Sequence, residues 1–155
     1  MSGLKLLMTT IASISFMSLA AYSQDAIQSP DDWFRDYYAS HWDENVFKNL
    51  EAIVAVLDET VYYHPPSENV EELDGRRWMT QILKDYKDAG FQGSELVQFK
   101  SEQLNNTTAT FKTRWIDRFA DGSEVTECWW YMADTKNDRW VITQFALIDC
   151  QEHAL

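Results

Sequence analysis

Trp115-Ile116-Asp117-Arg118-Phe119-Ala120-Asp121-Gly122-Ser123-Glu124-Val125-Thr126-Glu127-Cys128-Trp129-Trp130-Tyr131 decides the fold. Two aromatic and β-branched runs flank Asp121-Gly122. That dipeptide suits a two-residue turn with positive φ at both central positions. The stretch therefore reads as a β-hairpin in which Ala120 pairs with Ser123. Counting outward sets Trp115 opposite Cys128 and Thr113 opposite Trp130. One face is then expected to carry Phe111, Thr113, Trp115 and Asp117 with Thr126, Cys128, Trp130 and Met132. The other is expected to carry Lys112, Arg114 and Ile116 with Glu127, Trp129 and Tyr131. A sheet with one wet face alternates more cleanly than this. The second face is expected to be covered by another copy of the chain, giving a homodimer through the sheet.

Outward from the hairpin, a further strand, Trp140 to Ile148, returns after a turn within Thr135 to Asp138. Upstream lie Thr107 to Phe119, a turn at Asn105-Asn106 and a strand around Leu96 to Lys100. Three helical patterns precede them. Ser29 caps the first, Pro30 suits its first position, and Asp31-Asp32 favours the positive end of its dipole. Trp33, Phe34, Tyr37, Tyr38, His41 and Trp42 form one stripe at helical period. The second carries Val46, Phe47, Leu50, Ile53, Val54 and Leu57 on one face, up to Asp58-Glu59. Thr60 to Tyr63 reads as a short strand stopped at His64-Pro65-Pro66. Ser67 to Leu73, acidic and aperiodic, reads as a surface loop. Asp74 caps the third helix, Trp78, Met79, Ile82, Leu83 and Tyr86 give its apolar face, and Gly90 ends it. Helices followed by a run of antiparallel strands define an α+β layer fold, a curved antiparallel sheet covered on one face by three N-terminal helices.

Met1 to Ser23 reads as a secretory signal. Lys5 is its only charge, Leu6 to Ala20 is apolar, and Ala21-Tyr22-Ser23 places small side chains at −3 and −1 of a cleavage site. The apolar run is short for a membrane span of about 20 residues. Residues 24–155 then form a single domain, expected in the periplasm or outside the cell and away from the membrane. The whole chain carries a formal charge of −12. That deficit of cations argues against nucleic acid as a partner. Three scattered histidines and two distant cysteines show no metal-ligand spacing. No cofactor motif appears, so neither metal nor cofactor is expected.

Export permits disulfides. With the second turn near Asn137, Cys128 is expected opposite about Gln144. Cys150 would then lie roughly 20 Å further along the strand. Bridging them requires the tail to fold back; pairing between chains is the other possibility.

Element order and several local patterns resemble the nuclear transport factor 2-like superfamily, with its ketosteroid isomerase-like and SnoaL-like (polyketide cyclase-like) members. The patterns are Asp58-Glu59-Thr60-Val61-Tyr62-Tyr63-His64-Pro65 after the second helix, Gly75 opening the third, and Asp138-Arg139-Trp140-Val141-Ile142 in the final strand. The resemblance spans nearly all of Ser29 to Asp149. It implies a cone-shaped, cystatin-like α+β fold with an apolar pocket at its open end. It also implies a general base just before a proline, matched in place by His64, and a tyrosine donor on the first helix, for which Tyr37 is the nearest match. The neutral acid that assists that tyrosine in isomerase-like members is matched only by Cys128, a weak donor.

Imidazole, with an ordinary pKa of about 6.5, is a competent base at neutral pH. Asp117 has two readings: among aromatics it would have a raised pKa and could serve as acid or base, or it lies far enough along its strand to reach water. The candidate catalytic residues are thus His64, Tyr37 and Asp117. Tyr37, Trp42, Tyr63, His64, Trp78, Thr113, Trp115, Cys128, Trp130 and Gln144 are expected to contact a ligand. The favoured function is binding of a small hydrophobic molecule. One alternative is an isomerase, cyclase or hydrolase with His64 as base and Tyr37 as donor; another is a structural dimerisation module. Whether His64 and Tyr37 converge on one cavity separates them.

Overall fold

The computed structural model describes residues 28–66 and 69–151. The signal sequence read at Met1 to Ser23 lies outside them. The chain opens with one helical segment in three parts: an α-turn α1 (Pro30–Asp32), a π-helical stretch (Trp33–Tyr38) and a 3-10 stretch (Ala39–Trp42). Ser29 caps it, its side chain accepting from the Asp32 amide at 3.2 Å. A 3-10 turn (Val46–Lys48) leads into α2 (Leu50–Ala55), shorter than the sequence pattern suggests because Leu57 already belongs to β1 (Leu57–Tyr63). After β2 (Glu71–Asp74) comes α3 (Gly75–Asp88), capped by the Asp74 carboxylate on the Arg77 amide at 2.9 Å. β3 (Phe91–Asn105), β4 (Thr108–Phe119), β5 (Glu124–Lys136) and β6 (Arg139–Ile148) follow.

The six strands form one curved, unclosed sheet in the order β2-β1-β6-β5-β4-β3. The α+β class and the helices packed on a curved sheet are as read from the sequence. The sheet is mixed, however, because β1 runs parallel to β6. The segment read as an acidic loop contains β2, which pairs antiparallel with β1 from Thr60↔Asp74 to Tyr63↔Glu71. Edge strands carry charge readily, so acidity hid the strand.

The decisive hairpin is one residue out of the expected register. Arg114 faces Cys128, Thr113 faces Trp129 and Trp115 faces Glu127. Of the turn residues only Gly122 has positive φ, +83°. The Gly122 amide donates to the Phe119 carbonyl and the Phe119 amide to the Ser123 carbonyl, so the loop holds three residues instead of two. An odd loop length moves every β5 side chain to the opposite face. Phe111, Thr113, Trp115 and Asp117 therefore share the inner face with Glu127, Trp129, Tyr131 and Ala133. Cys128, Trp130 and Met132 lie on the outer face with Lys112, Arg114 and Ile116.

The second hairpin has the tight form, with Asn137 and Asp138 both at positive φ (51° and 59°). The Lys136↔Arg139 pairing counts out to Leu147 opposite Cys128, and an irregularity between Met132 and Ala133 adds one residue, so Cys128 faces Ile148 and not Gln144. Cys150 turns back over the outer face and is disulfide-bonded to Cys128, with Cα atoms 5.3 Å apart. Arg114 Nη2 donates to the Cys150 carbonyl at 2.9 Å and holds the tail there. This tail covers part of the outer face that the sequence left to a second copy.

The core lies between the inner face and the helices. Phe34, fully buried, stacks on Phe111 at 4.5 Å and lies 5.4 Å from the Tyr131 ring. Gly75 is required where α3 starts against β1, since a Cβ there would meet the Asp58 carbonyl oxygen at 2.2 Å.

Candidate functional site

Inward-facing β5 and β6 residues meet α3 and the first helical segment around a cavity of about 100 Å³. Tyr38 and Trp42 come from the first helical segment, Trp78 and Tyr86 from α3, Trp129 and Tyr131 from β5, and Ile142 and Phe145 from β6. A smaller chamber of about 40 Å³ continues toward β3 and β4. It shares Tyr38, Trp42, Tyr86 and Tyr131 with the first and adds Ser94, Trp115 and Asp117.

The π-helical stretch explains why Tyr38, and not Tyr37, turns inward. Its i→i+5 pairing, seen where the Ala39 amide donates to the Phe34 carbonyl, advances the buried stripe by about one residue over an α-helix. Tyr38 is buried at 3% exposure, whereas Tyr37 is 39% exposed and packs edge-on against His41.

Asp117 carries the charge chemistry of the cavity. It is buried at 4% exposure, and Ser94 Oγ donates to its Oδ1. Burial pushes its carboxyl up to about 6; the Ser94 hydrogen bond opposes the shift and the nearby Glu127 adds to it. Burial also raises the hydroxyl pKa values of Tyr38, Tyr86 and Tyr131. The Tyr38 and Tyr131 hydroxyls interact, their rings 5.8 Å apart and nearly perpendicular. Among the described residues Trp42 Nε1 is buried with no hydrogen bond of ordinary geometry, although it lies close enough to the Tyr38 hydroxyl to lower its pKa. At neutral pH the cavity thus offers one carboxyl group that is mostly ionised but still protonates within about a unit below neutrality, and three neutral phenols.

His64 sits elsewhere. Its amide donates to the Phe145 carbonyl, which fixes it at the end of β1. Its ring reaches the outer side, with Nε2 2.9 Å from Gln144 Oε1 and Trp130 edge-on at 6.0 Å. His64, Gln144, Trp130 and Cys128 form an outer group, and His64 and Tyr37 do not converge on one cavity. Among the other expected contacts, Trp42, Trp78, Trp115 and Asp117 line the two chambers. Tyr63 stacks on Phe145 at 5.2 Å without lining either chamber. Thr113 is fully buried beneath them, accepting from Trp115 Nε1 at 2.8 Å and donating to the Trp129 carbonyl at 3.2 Å. Sequence reasoning did not single out Tyr38 over Tyr37, nor Tyr86, Ser94, Trp129 or Tyr131 as lining residues. The α3 stripe contained Tyr86, and a correct hairpin register would have turned Trp129 and Tyr131 inward.

No family model matches the sequence, nor does any curated protein. Solved structures do match its fold. An NTF-2 like protein of unknown function from Shewanella oneidensis MR-1 superposes with a TM-score of 0.61 at 18% identity, over 77% of this chain and 98% of that one. A protein provisionally assigned as a polyketide cyclase, from Xanthomonas campestris pv. campestris, gives 0.53 at 16% identity, over 77% and 90%. An uncharacterized protein with a cystatin-like fold from Caulobacter vibrioides gives 0.55 at 13%, over 78% and 89%. The chain has the nuclear transport factor 2-like fold, and these identities carry the likeness no further than the fold.

Proposed function

We propose that the protein is an exported domain that binds a small hydrophobic molecule in the aromatic cavity between sheet and helices. The observation that carries this reading is the cavity itself. A half-open cavity of about 100 Å³, walled by tryptophan, tyrosine and aliphatic side chains, is left unfilled between the sheet and the helices of an aromatic core. Close packing normally removes such voids, and apolar walls with a few polar groups are what small-molecule sites present. Titration of the protein with single-ring hydrophobic ligands, followed by tryptophan fluorescence, tests it. Saturable binding that weakens in Trp78→Ala supports the reading; binding by none of them refutes it.

A second reading, acid–base turnover of the bound molecule, draws on Asp117. A carboxylate whose pKa is raised to about 6 is a stronger base than an ordinary one and suits general base catalysis at neutral pH, and Tyr38 would be the neutral donor beside it. Here Asp117 and Tyr38 take the places first given to His64 and Tyr37. Turnover abolished by Asp117→Asn but indifferent to His64→Ala supports this reading.

The outer face supports association of two copies. Trp130, Met132 and Ile148 are only partly covered there, and Tyr62 is 39% exposed. A dimer mass in solution at micromolar concentration is the expected result, and a monomer mass contradicts it.

A further inference from the structure

The two chambers divide their chemistry unevenly. The larger is lined by aromatic and aliphatic side chains without a formal charge. The smaller adds one carboxyl group, Asp117, ringed by Trp42, Trp115, Tyr38, Tyr86 and Tyr131. Among the described residues, no lysine, arginine or histidine lines either chamber. We propose that the cavity takes a small organic amine, with an apolar body of about one ring in the larger chamber and a protonated amino group in the smaller, held by Asp117 among the aromatic rings. This rests on the reading of the cavity as a ligand site.

Three observations point to a cation. Asp117 Oδ1 is engaged by Ser94, and among the described residues its Oδ2 has no hydrogen-bond partner. An N–H donor from a ligand would supply one, and a charged donor makes the stronger bond. Five aromatic side chains line the smaller chamber, and the electron-rich face of such a ring attracts a desolvated ammonium group. Glu127, one rung from Asp117 on the inner face, adds negative potential, as does the net charge of −12. A carboxylate ligand would meet that potential without a cation to offset it.

Size limits the ligand. The two chambers hold about 100 and 40 Å³, together close to the roughly 150 Å³ that holds benzene in another protein, so the ligand is no larger than one ring with a short amino-bearing arm, and part of it extends through the open side of the larger chamber. The cost of burying Asp117 alone is what raises its pKa, and an ammonium partner would offset that cost and favour the ionised form. The groups facing Asp117 are Ser94 from β3, Tyr38 from the first helical segment, Tyr86 from α3, and Glu127 and Tyr131 from β5. The tyrosines are raised above their ordinary range and stay neutral. Affinity for an amine should therefore rise with pH through about 6, as Asp117 ionises.

Calorimetric titration with 2-phenylethylamine, 2-phenylethanol and phenylacetate tests the proposal. At pH 7.5 the amine is expected to bind about tenfold or more tightly than the alcohol, the scale of one charge-assisted hydrogen bond, and phenylacetate weakest. The preference should shrink as pH falls through 6 and vanish in Asp117→Asn. Should Asp117→Asn fail to fold, the wild-type pH profiles decide: amine affinity rising with pH and alcohol affinity flat. Equal binding of amine and alcohol, or an amine preference that ignores pH, overturns the amine assignment and leaves the cavity as a ligand site. Binding by none of the three overturns both.

Discussion

Ser94 and Asp117 face each other across the β3–β4 pair, and the serine hydroxyl donates to the buried aspartate. This contact, between a turn-proximal strand residue and the deepest carboxyl group in the cavity, fixes where the polar end of the site lies.

Stability should depend on pH through that carboxyl group. Burial raises Asp117 from an ordinary 3.8 to about 6, so the folded state holds the proton more tightly than the unfolded one. Between about pH 4 and 6 unfolding releases a proton, and stability falls as pH rises, levelling off above 6. The full shift corresponds to about 3 kcal/mol at most, and a loss on the order of 2 kcal/mol is expected. Chemical denaturation at pH 4 and pH 7.5 should show it in the wild type and a much flatter profile in Asp117→Asn. A wild type equally stable at both values, relative to the variant, would remove Asp117 from this role.

The His64 group and the cavity should be separable. His64→Ala and Tyr37→Phe are expected to leave ligand affinity within about twofold, since neither side chain lines a chamber. Tyr38→Phe removes a hydroxyl in contact with Tyr131 and is expected to change it several-fold, as loss of a buried hydrogen bond does. Parallel titrations of the three variants check this. Loss of binding in His64→Ala would move the site to the outer face.

The tail should be a stabilising clasp. The Cys128–Cys150 disulfide closes a loop of 22 residues. Such a loop contributes about 3 kcal/mol in the chain-entropy account. Cys150→Ser is expected to lower unfolding free energy by roughly 2–4 kcal/mol, measured in guanidinium against the oxidised wild type. An unchanged midpoint would show that the tail is held by Arg114 alone.

Gly75 admits no side chain. In Gly75→Ala the new methyl group would stand 2.2 Å from the Asp58 carbonyl oxygen, which is backbone and cannot swing aside. Although alanine favours a helix over glycine by about 1 kcal/mol, the clash should win. A lower melting temperature is expected, and a raised one would mean that α3 and β1 separate easily.

The class of fold was legible because its signals are local. Ser29-Pro30-Asp31, Asp74 and Gly90 punctuate the helices where the sequence says they should, and long β-branched and aromatic runs mark β4 to β6. The inner face was legible only in half. Asp121-Gly122 fits both a two-residue and a three-residue loop, and that single residue decides whether Trp129 or Trp130 enters the cavity. Tyr37 and Tyr38 were indistinguishable at a period of 3.6, and a π-helical stretch selected Tyr38. His64 was aimed at the cavity by its place before Pro65; the parallel β1–β6 pairing, a contact across 80 residues of sequence, carries it to Gln144 instead. Asp117 was reached from the strand pattern, because its own strand was read in the correct phase.

The central claim, a ligand held on the inner face of the sheet, is tested most directly by two adjacent tryptophans. Trp129 lines the cavity, and Trp130 stands beside His64 on the outer side. Titration with 2-phenylethanol, followed through the assigned indole N–H resonances, should shift Trp129 and Trp78 in a saturable way and leave Trp130 in place. Saturable shifts confined to Trp130 would contradict the account and put the binding surface on the outer face.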